Sequence, residues 1–187
     1  MNEIEDTSDV SGGPPSGLGS GCVRVWLVDD HAPERERFSQ LLNQRDGIIC
    51  TRTFATGAEI LATLEEERPP DVLLLEVTLD DETGLDLIRP LRKLAPTAKV
   101  LMFTTFRHAY FATDALRAGA SGFLLKSWDV NDLERCIRLA KAGHQPSAPG
   151  AGTEPPTTAE VVAQRPPSSP LTAVSQFFRA MGSRLGQ

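Results

Sequence analysis

Five short apolar runs, each followed by a stretch of helical periodicity, limit what this chain can fold into more than any other feature. They are VRVWLV (Val23–Val28), IICTRTF (Ile48–Phe54), VLLL (Val72–Leu75), VLMF (Val100–Phe103) and FLL (Phe123–Leu125). Several are apolar at consecutive positions without alternation, the pattern of parallel strands covered on both faces. The segments between them read as helices. The first starts near Pro33, with Phe38, Leu41 and Leu42 on one stripe, and Thr56-Gly57-Ala58-Glu59 has capping-box spacing and opens the second over Ile60, Leu61 and Leu64. The third follows Gly84 with Leu85, Ile88 and Leu91, and Pro90 within it should remove a hydrogen bond or kink it. The fourth runs from Ala109 to Ala118, with Ala112, Ala115 and Leu116 as its buried stripe and Gly119 as its C-cap; the fifth begins at Asp129 and buries Val130, Leu133, Cys136, Ile137 and Ala140. Five β–α units joined by right-handed crossovers make a doubly wound α/β fold on a parallel sheet.

Proline and glycine mark where that fold stops. The chain has 187 residues. Residues 1–20 are acidic and rich in Gly, Pro and Ser, and 144–187 hold seven of the fourteen prolines, so both flanks read as disordered and the domain as 21–143. Within the tail, Leu171, Val174, Phe177, Phe178, Met181 and Leu185 fall near helical spacing, which marks a short amphipathic helix over 169–185. It reads as a fraying appendage, as a peptide docking on a partner or on the domain itself, or as a membrane-surface segment. The amino terminus lacks the basic start of a secretory signal, and no apolar run reaches the length of a membrane span. Cys22, Cys50 and Cys136 are scattered without metal-site spacing, which suits a reducing, cytoplasmic setting. A net charge of −6 leaves no broad electrostatic grip on nucleic acid.

In doubly wound sheets chemistry collects beyond the carboxyl ends of the strands. The first strand delivers Asp29 and Asp30, the third Glu76, the fourth Thr104 and Thr105, and the fifth Lys126. The second delivers only Ala55 and Thr56, which fits an edge position. Alone, an Asp pair is ordinarily a solvated turn, a Thr a cap and a Lys a surface charge. Together on one rim they supply hard oxygen ligands for Mg2+, with a hydroxyl and an ammonium to hold phosphoryl oxygens.

VWLVDDH, DVLLLEVTLDDETGLDLI, VLMFTT and AGASGFLLKS resemble the receiver domain of bacterial response regulators in two-component systems, and in particular the subfamily that usually carries a LuxR/NarL-type helix-turn-helix output. The resemblance covers 23–143. It implies the (βα)5 flavodoxin-like receiver fold, a doubly wound five-stranded parallel sheet in the order 2-1-3-4-5. It further implies that Asp29 and Asp30 form the acidic pocket, that Asp30, Glu76 and the carbonyl of Thr78 face the metal, Mg2+, and that Thr104, Phe123 and Lys126 form the switch. The expected role is signalling by contact with a protein, a histidine kinase or downstream regulator, rather than enzymatic catalysis; homodimerisation stays open, and neither nucleic acid nor membrane is expected as a partner.

Two residues depart from the family pattern. Glu76 stands where the phospho-accepting aspartate is expected, and Asp80 replaces the proline that follows. The extra methylene displaces the carboxylate by about 1.5 Å, and misplacement of that size can cost about 100-fold in an in-line transfer. Glu76 therefore has three readings: a mimic of the phosphorylated aspartate, pushing charge toward Thr104 and Lys126; the mark of an inert pocket; or a site where phosphorylation persists, at Glu76, Asp80 or Asp81. The Pro-rich tail cannot build the helix-turn-helix output, so none is expected within this sequence. With the fourth helix burying Ala112, Ala115 and Leu116, Tyr110 should face outward beside Asp114 and Arg117 as an anchor for a partner.

Overall fold

A computed structural model describes residues 21–107 and 109–146. The expectations for 1–20 and for the tail from 147 on, including a helix over 169–185, lie outside the described residues. The elements run β1 (Val23–Val28), α1 (Ala32–Asn43), β2 (Ile48–Phe54), α2 (Gly57–Glu66), β3 (Val72–Leu75), β4 (Thr78–Leu79), β5 (Glu82–Thr83), α3 (Gly84–Leu94), β6 (Lys99–Thr104), α4 (Ala109–Ala118), β7 (Gly122–Leu125) and α5 (Val130–Lys141). β2-β1-β3-β6-β7 form one parallel sheet, and β4 and β5 pair as a separate antiparallel hairpin. With the hairpin set aside, this is the expected 2-1-3-4-5 order.

The strand sequences dictate which helices lie on which face. Side chains alternate across a strand, so Trp26 and Val28 of β1 and Leu73 and Leu75 of β3 enter one core with Ile60, Leu64, Leu87, Ile88, Leu91, Phe111 and Ala115 of α2, α3 and α4. Val23, Val25 and Leu27, with Val72 and Leu74, enter the other with Phe38 and Leu42 of α1 and Leu133, Cys136, Ile137 and Ala140 of α5. Both faces of β1 and β3 are therefore covered, which is why their sequences do not alternate in polarity. β2 at the edge exposes Thr51, Arg52 and Thr53.

Local signals fix the helix ends. Thr56 accepts a hydrogen bond from the Glu59 amide while the Glu59 carboxylate accepts from the Thr56 amide, so the capping box forms as read. Asp129 caps α5 through the Asn131 amide. Gly119, at φ 106°, closes α4 with its own amide and that of Ala120 turned back onto the Ala115 carbonyl, a left-handed cap that favours glycine.

Four details differ from the sequence reading. In α4 the buried residues are Phe111 and Ala115, not Ala112 and Leu116; Leu116 is 37% exposed. Both pairs satisfy helical spacing, and ring volume decides between them, since Phe111 packs 5.8 Å from Phe106 over the sheet. In consequence Tyr110 is half-buried against the same core rather than pointing freely outward. Leu87 replaces Leu85 in the buried stripe of α3, and Val130 is only half-buried at the start of α5. Pro90, which has no amide hydrogen to donate, lies inside an α3 that runs on to Leu94, consistent with the loss of one hydrogen bond.

Candidate functional site

The sheet register brings the rim together. The Asp29 amide donates to the Phe54 carbonyl at 3.0 Å, Glu76 to the Val28 carbonyl at 3.0 Å and Lys126 to the Thr104 carbonyl at 2.8 Å, each extending the parallel ladder one residue past a strand end. Asp29, Glu76, Thr104 and Lys126 therefore start from fixed backbone and turn into one buried pocket.

Lys126 organises it. Its ammonium lies 2.7 Å from Asp29 Oδ2, 2.7 Å from Glu76 Oε2 and in contact with Glu34 Oε2, with the lysine side chain only 4% exposed. Burial alone would push the lysine toward its neutral form, but Glu76, Asp29 and Glu34 outweigh it and hold its pKa above the ordinary value. Burial raises the pKa of Glu76, offset in part by Lys126, the Thr104 hydroxyl and the Val77 amide, which donates to Glu76 Oε1 at 2.7 Å. Asp29 Oδ1 accepts from the His31 amide at 3.0 Å, and Arg35 of α1 clamps the turn by donating to the carbonyls of Asp29 and Asp30 at 2.5 and 3.2 Å.

Asp30 sits beside this cluster. Its pKa is raised by burial, by a hydrogen bond with the Asp80 carboxyl and by the nearby charges of Asp80 and Asp29. Two carboxyl groups in contact need a shared proton or a cation between them. Oxygens of Asp29, Glu34 and Glu76 all lie within 4.8 Å of one another. A donor set made only of carboxylates fits a small hard cation such as Mg2+, although the Lys126 ammonium already lies among three of them.

Of the residues singled out in the sequence, the structure joins Asp29, Glu76, Thr104 and Lys126, with Asp30 next to them facing Asp80. Thr78 opens the small hairpin, and its hydroxyl is buried with no hydrogen-bond partner among the described residues. Phe123 and Tyr110 are half-buried on the core that holds α4, and Thr105 is exposed. Glu34, Arg35 and the contact of Asp80 with Asp30 belong to the site although no motif marks them in the sequence. Glu34 lies in the first turn of α1, where an acid is explained by the helix dipole alone.

A model of the response regulator receiver domain matches residues 25–138. Among characterised relatives, the response regulator GacA of Pseudomonas protegens is 33% identical over 127 residues, 68% of this chain and 59% of that protein. The DNA-binding transcriptional activator DevR/DosR of Mycobacterium tuberculosis is 33% identical over 121 residues, 65% of this chain and 55% of that protein. This chain thus spans a little over half the length of these relatives. Among solved structures, a LuxR-family two-component response regulator from Aurantimonas superposes with a TM-score of 0.64 at 30% identity, over 76% of this chain and 96% of the other. A family match across most of the folded region, borne by relatives that follow the same frame, makes this chain a member of the response regulator receiver domain family.

Proposed function

We propose that this receiver acts in two-component signalling mainly through contact with a protein partner, a histidine kinase or a downstream regulator, and largely independently of phosphorylation, with Glu76 as a fixed charge where a phosphoryl group would otherwise be added. The observation that carries the reading is the Glu76 carboxylate, which is engaged by Lys126 at 2.7 Å, by the Val77 amide at 2.7 Å and by the Thr104 hydroxyl. These partners favour mimicry over an inert pocket, because the carboxylate reaches both groups that a phosphoryl group would have to draw in. Mimicry is partial, since one carboxylate carries one charge where a phosphoryl group adds about −1.5 to −2 and three acceptor oxygens. Tyr110, half-buried on α4, anchors the partner face in this reading. Mg2+ would be held weakly by Asp30, Glu76 and the Thr78 carbonyl with Asp29 beside them, where its chemistry is to neutralise the carboxylates. No described helix is long and apolar enough to cross a membrane, and a net charge of −6 gives DNA little to hold; we place the domain in the cytoplasm.

Intact-mass measurement after incubation with acetyl phosphate and Mg2+ tests the reading. The wild type should gain no phosphoryl mass, and Glu76→Asp should recover uptake, because Asp29, Asp30, Thr104 and Lys126 remain in place. A phosphoryl group on the wild type would favour the second reading, a phosphorelay receiver of the conventional kind. That reading is supported by the Asp80 carboxyl at the rim, which touches Asp30 and supplies an acceptor of ordinary length.

A further inference from the structure

We propose that Glu34 is the alternate seat of the Lys126 ammonium, the carboxylate that lets a divalent cation settle on Asp30 and Glu76, with Asp29 beside them, without expelling or stranding the lysine. The inference rests on the reading of the rim as a Mg2+ site and assigns a positioning role there to a residue of α1.

Lys126 contacts three carboxylates that differ in position. Those of Asp29 and Glu76 are buried, at 1% and 7% side-chain exposure, whereas that of Glu34 is 29% exposed on the solvent side of the pocket. The lysine side chain is 4% exposed, so its ammonium cannot simply retreat into water. A divalent cation drawn to Asp30 and Glu76 arrives next to a positive charge that already holds an oxygen of Glu76 and one of Asp29 at 2.7 Å. Two like charges in a buried site repel strongly unless one of them moves or is neutralised. Glu34 already touches the ammonium, so a small shift outward leaves the lysine paired while the inner oxygens come free. The backbone of Glu34 is held for this role, since its amide donates to the His31 carbonyl at 3.0 Å in the first turn of α1 and the neighbouring Arg35 fastens that turn to Asp29 and Asp30. Among the described residues the Glu34 carboxylate has Lys126 as its ion-pair partner.

The test is calorimetric titration of Mg2+ alone into the full chain, as wild type, Glu34→Gln, Lys126→Met and the double variant. Glu34→Gln should weaken Mg2+ binding by about tenfold, because the lysine then keeps hold of Asp29 and Glu76. Lys126→Met should strengthen it. In the Lys126→Met background the same Glu34 change should cost no more than about threefold, the residue of one lost charge, since nothing remains to be reseated. Should Lys126→Met fail to fold, Lys126→Gln serves in its place, because it keeps N–H donors toward Asp29 and Glu76. Equal losses in both backgrounds would mean that Glu34 acts on the cation directly, and no loss in the wild-type background would mean that the seat is not used; either overturns the proposal while leaving the Mg2+ site standing. Absence of Mg2+ binding by all four proteins would overturn the Mg2+ reading and this inference with it.

Discussion

A buried charge must be paired where it lies or it will not stay charged. Asp29 and Lys126 meet that requirement across 97 positions of sequence, and such a pair is set by the strand ends that carry it rather than by any local motif. Those ends are held by close backbone contacts. A Cβ on Gly84 would lie 1.9 Å from the Glu76 carbonyl oxygen, and the Gly84 amide donates to Val77 at 2.8 Å. Gly84→Ala must therefore displace either the start of α3 or Glu76, and its melting temperature should fall by more than about 4 °C, roughly 1 kcal/mol for a domain of this size; unchanged melting would refute the close approach. A second residue governs acid behaviour. Asp71 is half-buried, which alone would raise its pKa, but pairing with Lys141 and the Arg24 amide at 2.9 Å lowers it below the ordinary 3.8. A depressed carboxylate contributes stability above its unfolded pKa and loses it as pH falls through the folded one. In urea titrations Asp71→Asn should thus be less stable than wild type at pH 7, with the gap closing as pH drops below about 3.8.

At the level of elements, what the sequence revealed depends on how far each signal reaches along the chain. The Thr56–Glu59 box was legible because both partners lie within one turn, and Thr56→Ala should cost about 1 kcal/mol in chemical denaturation; a change below about 0.3 kcal/mol would mean the cap is idle. The five sheet strands were legible because strands covered on both faces are apolar at consecutive positions, and the rim residues because such a sheet delivers them at successive strand ends. The hairpin of Thr78–Leu79 and Glu82–Thr83 was not, since two-residue strands are too short to show a period of two. It nonetheless bears on the rim: its turn carries Asp80 to Asp30, and its Glu82 carboxylate accepts from the Gly57 amide at 2.7 Å, tying it to α2. In α4 the periodicity pointed to Ala112, Ala115 and Leu116, but Phe111 and Ala115 satisfy the same spacing and are the residues buried. Glu34 was hidden because a first-turn acid serves the helix dipole whether or not it also reaches the lysine just past the last strand.

For the whole molecule, the question is where the folded unit ends. Composition places the boundary at Gly143, and the described residues run three further, to Pro146. Gly143 adopts φ 87°, its amide donates to Ala140 at 2.9 Å, and the His144 amide donates to Leu139 at 2.9 Å, the paired bonds of a Schellman cap. Pro146 is buried against Gly122 at the start of β7, close enough that a Cβ on that glycine would meet its ring at 3.0 Å. Between these two points His144 and Gln145 line a groove of about 310 Å3 with Lys99, Ala120 and Ser121 at the amino ends of β6 and β7, opposite the acidic rim. Closing α5 and covering the start of β7 thus depend on three residues past the glycine. A chain ended after Pro146 should melt within about 2 °C of the full chain, whereas one ended after Gly143 should melt about 4 °C or more lower, having lost the second cap bond and the proline's packing. Equal melting of the two truncated chains would return the boundary to Gly143. A large loss already at Pro146 would mean that residues beyond it pack on the receiver, and the search for a partner face would then have to begin with the chain's own tail.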